Sequence, residues 1–87
     1  MNATEQEVLD EARRILGAEL GLARAVRPGD DLARDLLLDS LSLFTLVIGM
    51  EDRFRVALHE EDAPAIHTVA DLVGLVARRV AESGARS

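Results

Sequence analysis

The chain contains no cysteine and no lysine, and its only aromatic side chains are Phe44 and Phe54. Without cysteine it can form neither a disulfide nor a thiolate metal site. With so few aromatic residues, its core must be aliphatic. All ten basic residues are arginine, which we attribute to a compositional bias of the genome rather than to a binding site.

Long apolar segments are missing as well. No apolar stretch reaches the ~18 residues that a membrane span requires. The N-terminus, MNATEQEVLDEARR, lacks the basic region and apolar run of a secretory signal. We therefore expect a cytoplasmic protein without membrane association. Its 87 residues suffice for a single domain over 1–87, too small to enclose a deep cleft. The initial methionine and the polar end favour a stand-alone protein.

The negative charge is concentrated in the middle of the chain. The net charge is −6, and ten acids but only three arginines lie between Asp30 and Asp71. This distribution argues against nucleic-acid binding, which needs clustered basic residues. It favours a basic protein partner, because complementary fields accelerate encounter. The simpler alternative is that the acids only keep a small protein in solution.

Apolar residues recur at helical spacing along most of the chain, and no segment alternates as a strand would. The pattern predicts an all-α fold, a small four-helix bundle of three main helices plus a short third one. The predicted helices cover about 4–20, 40–54, 61–66 and 68–82, with a long loop over 21–39.

Local signals mark where these helices begin and end. Thr4 and Glu7 have capping-box spacing, and Gly21 can end the first helix. Thr68, with Asp71 three residues later, predicts the start of the last helix. The loop before the second helix is unusually long for a compact domain. Four apolar residues are expected to pin it to the core: Leu22, Val26, Leu32 and Leu36.

The second helix has two apolar faces. Leu41, Phe44 and Ile48 lie off the stripe that should enter the core. A chain of this length has little additional core to receive them, so we expect them to meet a partner or a bound cargo. The alternative is that another helix covers them. The core stripe itself comprises Leu43, Leu46, Val47, Met50 and Phe54.

Ser40 stands at the predicted start of this helix, after Asp39, and either residue is a good N-cap. A catalytic serine needs a base within hydrogen-bond reach and an oxyanion hole. The nucleophile-elbow motif Gly-x-Ser-x-Gly is absent, and the only histidines are His59 and His67. A hydrolase is therefore disfavoured, and a simple helix cap is sufficient on local grounds.

The segment DLARDLLLDSLSLFTLVIGMEDRF, followed by IHTVADLV, resembles the acyl carrier and peptidyl carrier protein family. The resemblance covers nearly the whole chain and is most specific at Asp39-Ser40-Leu41. It is supported by Leu46-Val47, Glu51-Asp52, Phe54 and Thr68-Val69.

The resemblance implies a non-catalytic carrier with the acyl-carrier type of bundle. It implies that Ser40 bears 4′-phosphopantetheine, with Asp39 and Leu41 beside it, and that the thiol of this arm holds an acyl, aminoacyl or polyketide group. The implied partners are a phosphopantetheinyl transferase, a loading enzyme and downstream synthases or transferases, acting on a monomer. They would dock on a face formed by Leu41, Phe44, Ile48, Glu51 and Asp52.

Several residues depart from the family pattern. Leu37 replaces the usual glycine, so the turn before Asp39 is expected to differ, and Leu37 and Leu38 are expected to add apolar surface. The other departures are Thr45, Arg53, Arg55 and His59. Together they predict a dedicated carrier for a specialised biosynthetic pathway, with a general fatty-acid carrier as the alternative.

Two further interpretations stay open from sequence alone. The chain could be an unmodified helical adaptor in which Ser40 is only a cap. It could also hold a divalent ion through oxygen-rich residues near the short helix, although their spacing matches no closed site. The residues concerned are His59, Glu60, Glu61, Asp62 and His67.

Overall fold

The computed structural model describes residues 1–84 and contains three α-helices, a π-helical turn and one short 3-10 helix in that range. The α-helices are α1 (Ala3–Arg14), α2 (Ser40–Phe54) and α3 (Val69–Gly84), and the 3-10 helix spans Glu60–Ala65. The predicted all-α bundle of three main helices and a short one is confirmed. The short helix begins one residue earlier than expected, and Ile66 follows it in extended conformation.

The first helix starts earlier than the sequence suggested. Asn2 caps it, because the backbone N–H of Glu5 donates to Asn2 Oδ1 at 2.8 Å and Asn2 N–H donates to Glu5 Oε1 at 2.9 Å. The predicted capping box of Thr4 and Glu7 is wrong. Asn2 and Glu5 have the same spacing two residues closer to the terminus, which places Thr4 inside the helix.

After Arg14 the helix continues as a π-helical turn over Ile15–Glu19, where a regular α-helix was expected to reach about residue 20. The wider turn buries two consecutive side chains, Ile15 and Leu16, completely. Gly21 then takes a left-handed conformation with φ 71° and ends the segment, as expected.

The long loop is tied to the body by its side chains and its backbone. Val26, Leu32 and Leu36 are buried, and Leu22 packs on the core, which confirms the predicted pinning. Three backbone bonds join the loop to the start of α3 and the segment before it. They are Leu32 N–H to His67 O at 2.9 Å, Val69 N–H to Asp30 O at 3.0 Å and Ala70 N–H to Pro28 O at 2.8 Å. The loop that leads to Ser40 therefore has a defined position.

The core lies between α1, the loop and the inner faces of α2 and α3. Leu46 and Met50 of α2 are completely buried, while Leu43, Val47 and Phe54 pack against them at the edge. The last helix begins as predicted, with Asp71 N–H donating to Thr68 Oγ1 and Thr68 N–H to an Asp71 carboxylate oxygen. Its completely or nearly completely buried residues are Val69, Leu72, Val73 and Val76.

Candidate functional site

Ser40 is the first residue of α2, and its side chain is exposed. The residue that caps the helix is Asp39, whose Oδ1 accepts from Ser42 N–H at 2.8 Å. That backbone bond holds the pKa of Asp39 below its ordinary value. The interpretation of Ser40 as a plain helix cap is therefore wrong, because Asp39 performs that function and leaves the Ser40 hydroxyl at the surface.

The turn before Ser40 contains Leu37 in a left-handed conformation, with φ 56°. The leucine thus adopts the conformation that glycine permits, despite its Cβ. The expected difference between this turn and that of the family stays a prediction. Leu37 is exposed, as expected. Leu38 is half-buried and packs on the core, so its predicted contribution to the surface is wrong.

The outer face of α2 is apolar and uncovered. The exposed fractions are 74% for Leu41, 61% for Phe44 and 38% for Ile48. The alternative in which another helix covers these residues is wrong for the part of the chain that the structure describes. Leu41 follows Ser40 directly, and Phe44 and Ile48 lie about one and two turns further along, so an apolar surface begins beside the serine.

A groove of about 370 Å³ runs between α2 and the short 3-10 helix and reaches Ser40. Its walls are mainly apolar, which suits a ligand with hydrocarbon character. From α2 it is lined by Leu43, Phe44, Val47, Ile48 and Glu51, and from the opposite side by Leu58, His59, Glu60, Ala63 and Ile66.

Glu51 and Asp52 occupy different environments. The Glu51 carboxylate accepts from Leu58 N–H at 2.8 Å and so fastens the segment after α2 onto the helix. Asp52 is exposed at the surface. The next residue, Arg53, lies over the Phe54 ring with its guanidinium carbon 5.2 Å from the ring centre. Sequence reasoning missed the bond to Leu58, because a contact across seven positions leaves no periodic signal.

The short helix that forms the outer wall of the groove has no buried residue of its own. Arg79 of α3 holds it through Asp62, at 3.1 Å to each carboxylate oxygen, and also donates to Ala57 O at 3.0 Å. The backbone N–H of His59, with Arg79 next, lowers the pKa of Asp62. Sequence reasoning also missed Arg79, since only the folded chain brings it to Asp62.

The structure does not assemble the proposed divalent-ion site. Within residues 1–84, no group of three or more histidine, aspartate or glutamate side chains lies close enough to hold a metal ion. The carboxylate of Asp62, the central member of the suggested set, is paired with the guanidinium of Arg79. None of the helices in residues 1–84 is long and apolar enough to cross a membrane.

Comparison with known proteins agrees with this geometry. The profile of the family described as "Phosphopantetheine attachment site" matches residues 7–76. The acyl carrier protein of Kineococcus radiotolerans is 35% identical over 77 residues, covering 87% of this chain and 95% of that protein. The acyl carrier protein of Myxococcus xanthus is 35% identical over 75 residues, covering 85% of this chain and 95% of the relative.

The fold likewise matches a solved structure, the crystal structure of an acyl carrier protein from Thermotoga maritima. The TM-score is 0.81 at 22% sequence identity, covering 93% of this chain and 95% of that one. The chain belongs to the acyl carrier protein family, whose members catalyse nothing themselves and carry covalently attached 4′-phosphopantetheine. Membership implies interactions with a phosphopantetheinyl transferase and with synthase enzymes.

The residues present fit that prosthetic group. A phosphodiester requires an accessible hydroxyl, and Ser40 supplies one at the N-terminus of α2, where the helix dipole favours an anion. The apolar groove begins at the same residue. Leu37 does not fill the groove, because it is absent from the groove lining.

Proposed function

We propose that Ser40 is the attachment serine and that residues 1–87 form one carrier domain serving a specialised biosynthetic pathway. The observation that carries this proposal is the division of roles at the start of α2. Because Asp39 caps the helix, Ser40 does not serve as the cap, and its side chain is exposed. Leu41, the next residue, continues the exposed apolar surface.

The attachment reaction is a transfer from coenzyme A. A bond forms between Ser40 Oγ and the phosphorus of the phosphopantetheine portion as the pyrophosphate bond of coenzyme A breaks. Adenosine 3′,5′-bisphosphate leaves, and the serine proton passes to a base of the transferase.

The attached group supplies a terminal thiol that holds an acyl, aminoacyl or polyketide cargo as a thioester. The chain's contribution is to shelter and present that cargo. Leu43, Val47 and Ile66 form apolar walls beside Ser40, and burial of apolar surface there would stabilise a hydrocarbon portion. The groove is held by Arg79 and Glu51 rather than by buried side chains of the short helix.

The docking face for partner enzymes consists of Leu41, Phe44 and Ile48, with Asp52 supplying exposed negative charge. Glu51 adds charge at the same edge, but its carboxylate already holds Leu58. We expect these partners to be a loading enzyme and downstream synthases or transferases with basic surfaces, acting on a monomer. Contacts of this kind are weakened by salt. The cytoplasmic location predicted from the sequence stays a prediction.

The attachment site is tested by intact mass after incubation with coenzyme A, magnesium and a broad-specificity phosphopantetheinyl transferase. The parent chain should gain one phosphopantetheine group, and Ser40→Ala should gain none. Ser42→Ala is the matched control and should be modified, because its backbone N–H still caps the helix. A folded parent chain that gains no mass would favour the unmodified adaptor instead.

The pathway requires a separate experiment. Purified fatty-acid synthase enzymes should load and elongate chains on this protein much more slowly than on their usual carrier. Thr45, Arg53 and Arg55 change the face and the end of α2 that such enzymes would meet. Equal rates on both carriers would instead identify a general fatty-acid carrier.

A further inference from the structure

Leu37 combines two unfavourable features for a leucine. Among the large apolar side chains of residues 1–84 it is the most exposed, at 80%. Its φ of 56° also brings its Cβ close to the following carbonyl oxygen, a conformation that glycine adopts without strain. The folded state therefore holds this side chain in water and under backbone strain at the same time.

The surrounding structure fixes Leu37 in this state. Leu36 N–H donates to Asp31 O at 3.1 Å, and Leu38 N–H donates to Leu32 O at 3.0 Å. The side chain of Leu36 is buried, and that of Leu38 packs on the core. Both neighbours are directed inward and both of their amides are bonded, and the Leu37 side chain between them projects outward.

The Leu37 side chain therefore contributes little to the stability of the folded chain. A strained residue that the fold does not use is a reason to look for a function, and Leu37 precedes Ser40 by only three positions. Three residues span at most about 11 Å of extended chain. A protein interface of ordinary size covers roughly 800 Å² on each partner, a patch that extends about 16 Å from its centre.

We propose that Leu37 is a recognition residue for the phosphopantetheinyl transferase, which packs an apolar surface against it beside Ser40. This inference rests on the proposed function. Other partners act on the far end of the attached arm, whereas the transferase must bring its reacting groups to Ser40 Oγ itself. The radius of such a patch centred on Ser40 exceeds the greatest distance that three residues can span, so Leu37 is within its reach.

The chemistry of the partner surface follows from the residues around the serine. Leu37 and Leu41 present apolar side chains on either side of it, at exposed fractions of 80% and 74%. Asp39 lies between them in the chain, and its hydrogen bond with Ser42 lowers its pKa, which favours the carboxylate form. The complementary surface has an apolar depression with a cationic group beside it.

Three substitutions separate the apolar contact from the backbone strain. Leu37→Gly removes both, Leu37→Asn keeps a residue that tolerates positive φ but is polar, and Leu37→Met keeps an apolar side chain. For each variant, kcat/KM for the broad-specificity phosphopantetheinyl transferase with coenzyme A and magnesium is measured by intact mass, and the Tm is measured in parallel.

We expect kcat/KM to fall about fivefold to tenfold for Leu37→Gly and Leu37→Asn, and to change less than twofold for Leu37→Met. The Tm of Leu37→Gly should rise by roughly 2–5 °C, because the strain is relieved. A loss of rate together with a gain of stability cannot arise from a purely structural role.

Modification of Leu37→Gly at the parental rate would overturn the recognition role while leaving Ser40 as the attachment site. An equal loss of rate in Leu37→Met would overturn it too, because an apolar contact should survive that exchange. If the parent chain is never modified, both the attachment role of Ser40 and the recognition role of Leu37 are overturned. If the parent chain gains mass and Leu37→Gly does so at the same rate, only the recognition role of Leu37 is overturned.

Discussion

Arg79 in α3 donates to both carboxylate oxygens of Asp62 in the short 3-10 helix, at 3.1 Å each. The same guanidinium donates to Ala57 O at 3.0 Å, so one side chain holds both the short helix and the segment before it. Because that helix buries no side chain, this arrangement is a principal support for the outer wall of the groove.

Replacing Arg79 should therefore loosen the wall of the groove. We expect Arg79→Met to lower the Tm by about 5 °C, since it removes three charge-assisted hydrogen bonds at a partly exposed site. Hydrogen exchange should accelerate most over residues 57–66. Arg78→Met is the matched control, because Arg78 is exposed. Equal effects of the two substitutions would contradict the role assigned to Arg79.

The buried carboxylate of Asp30 should make the free energy of unfolding depend on pH. Its carboxylate accepts from Arg27 N–H at 2.8 Å and pairs with Arg24 at 3.0 Å. The bond from Arg27, ahead of the charge of Arg24, lowers its pKa below the ordinary 3.8. A lowered pKa means that this stabilisation is present above pH ~4 and is lost as the pH falls through the folded value.

Unfolding of the parent and of Asp30→Asn in urea at several pH values measures this effect. The parent should be more stable at pH 7, and the difference should shrink steadily below pH ~4, because the protonated carboxyl resembles the amide. Asp52→Asn serves as a control at an exposed position. A difference between parent and Asp30→Asn that stays constant down to pH 2 would contradict the assignment.

Two glycines in helices should respond oppositely to alanine. A Cβ on Gly49 of α2 would lie 2.7 Å from Ile15 Cδ1, and Ile15 is completely buried. A Cβ on Gly74 of α3 would meet nothing within 4 Å. We expect Gly49→Ala to lower the free energy of unfolding by about 1 kcal/mol, because crowding outweighs the helix preference of alanine. Gly74→Ala should raise it by about 0.5–1 kcal/mol.

Denaturant titration of both glycine variants checks the pair. Since each gains the same helix-forming residue, their difference reports the close approach of α2 to the π-helical turn. If Gly49→Ala were as stabilising as Gly74→Ala, Ile15 would have to move aside without loss of packing.

The apolar face of α2 should matter to partners and not to folding. Phe44→Ser replaces a side chain that is 61% exposed, so the free energy of unfolding should change by less than about 0.5 kcal/mol. The rate of loading by a partner enzyme should fall at least about fivefold if the face is the docking surface. Val47→Ser, on the inner side of the same helix, is the contrasting variant and should lose stability. An unchanged loading rate for Phe44→Ser would remove Phe44 from the docking surface.

Features encoded in neighbouring residues could be predicted from the sequence. The start of α2, its two apolar faces and the cap formed by Thr68 and Asp71 all follow from spacing along one helix. The support of Asp62 by Arg79 could not, because it joins residues 17 positions apart. The π-helical turn and the left-handed Leu37 were also missed, since burial of neighbouring residues there prevails over local preference.

Backbone hydrogen bonds of the long loop connect the segment after the short helix to the segment before Ser40. Leu38 N–H bonds to Leu32 O, and Leu32 N–H bonds to His67 O. This relay runs from just after the short helix to the residue immediately before Asp39. If the short helix shifts to admit cargo, only two backbone bonds separate that displacement from the point at which Ser40 is anchored. We therefore expect the position of the α2 N-terminus to depend on the position of the short helix.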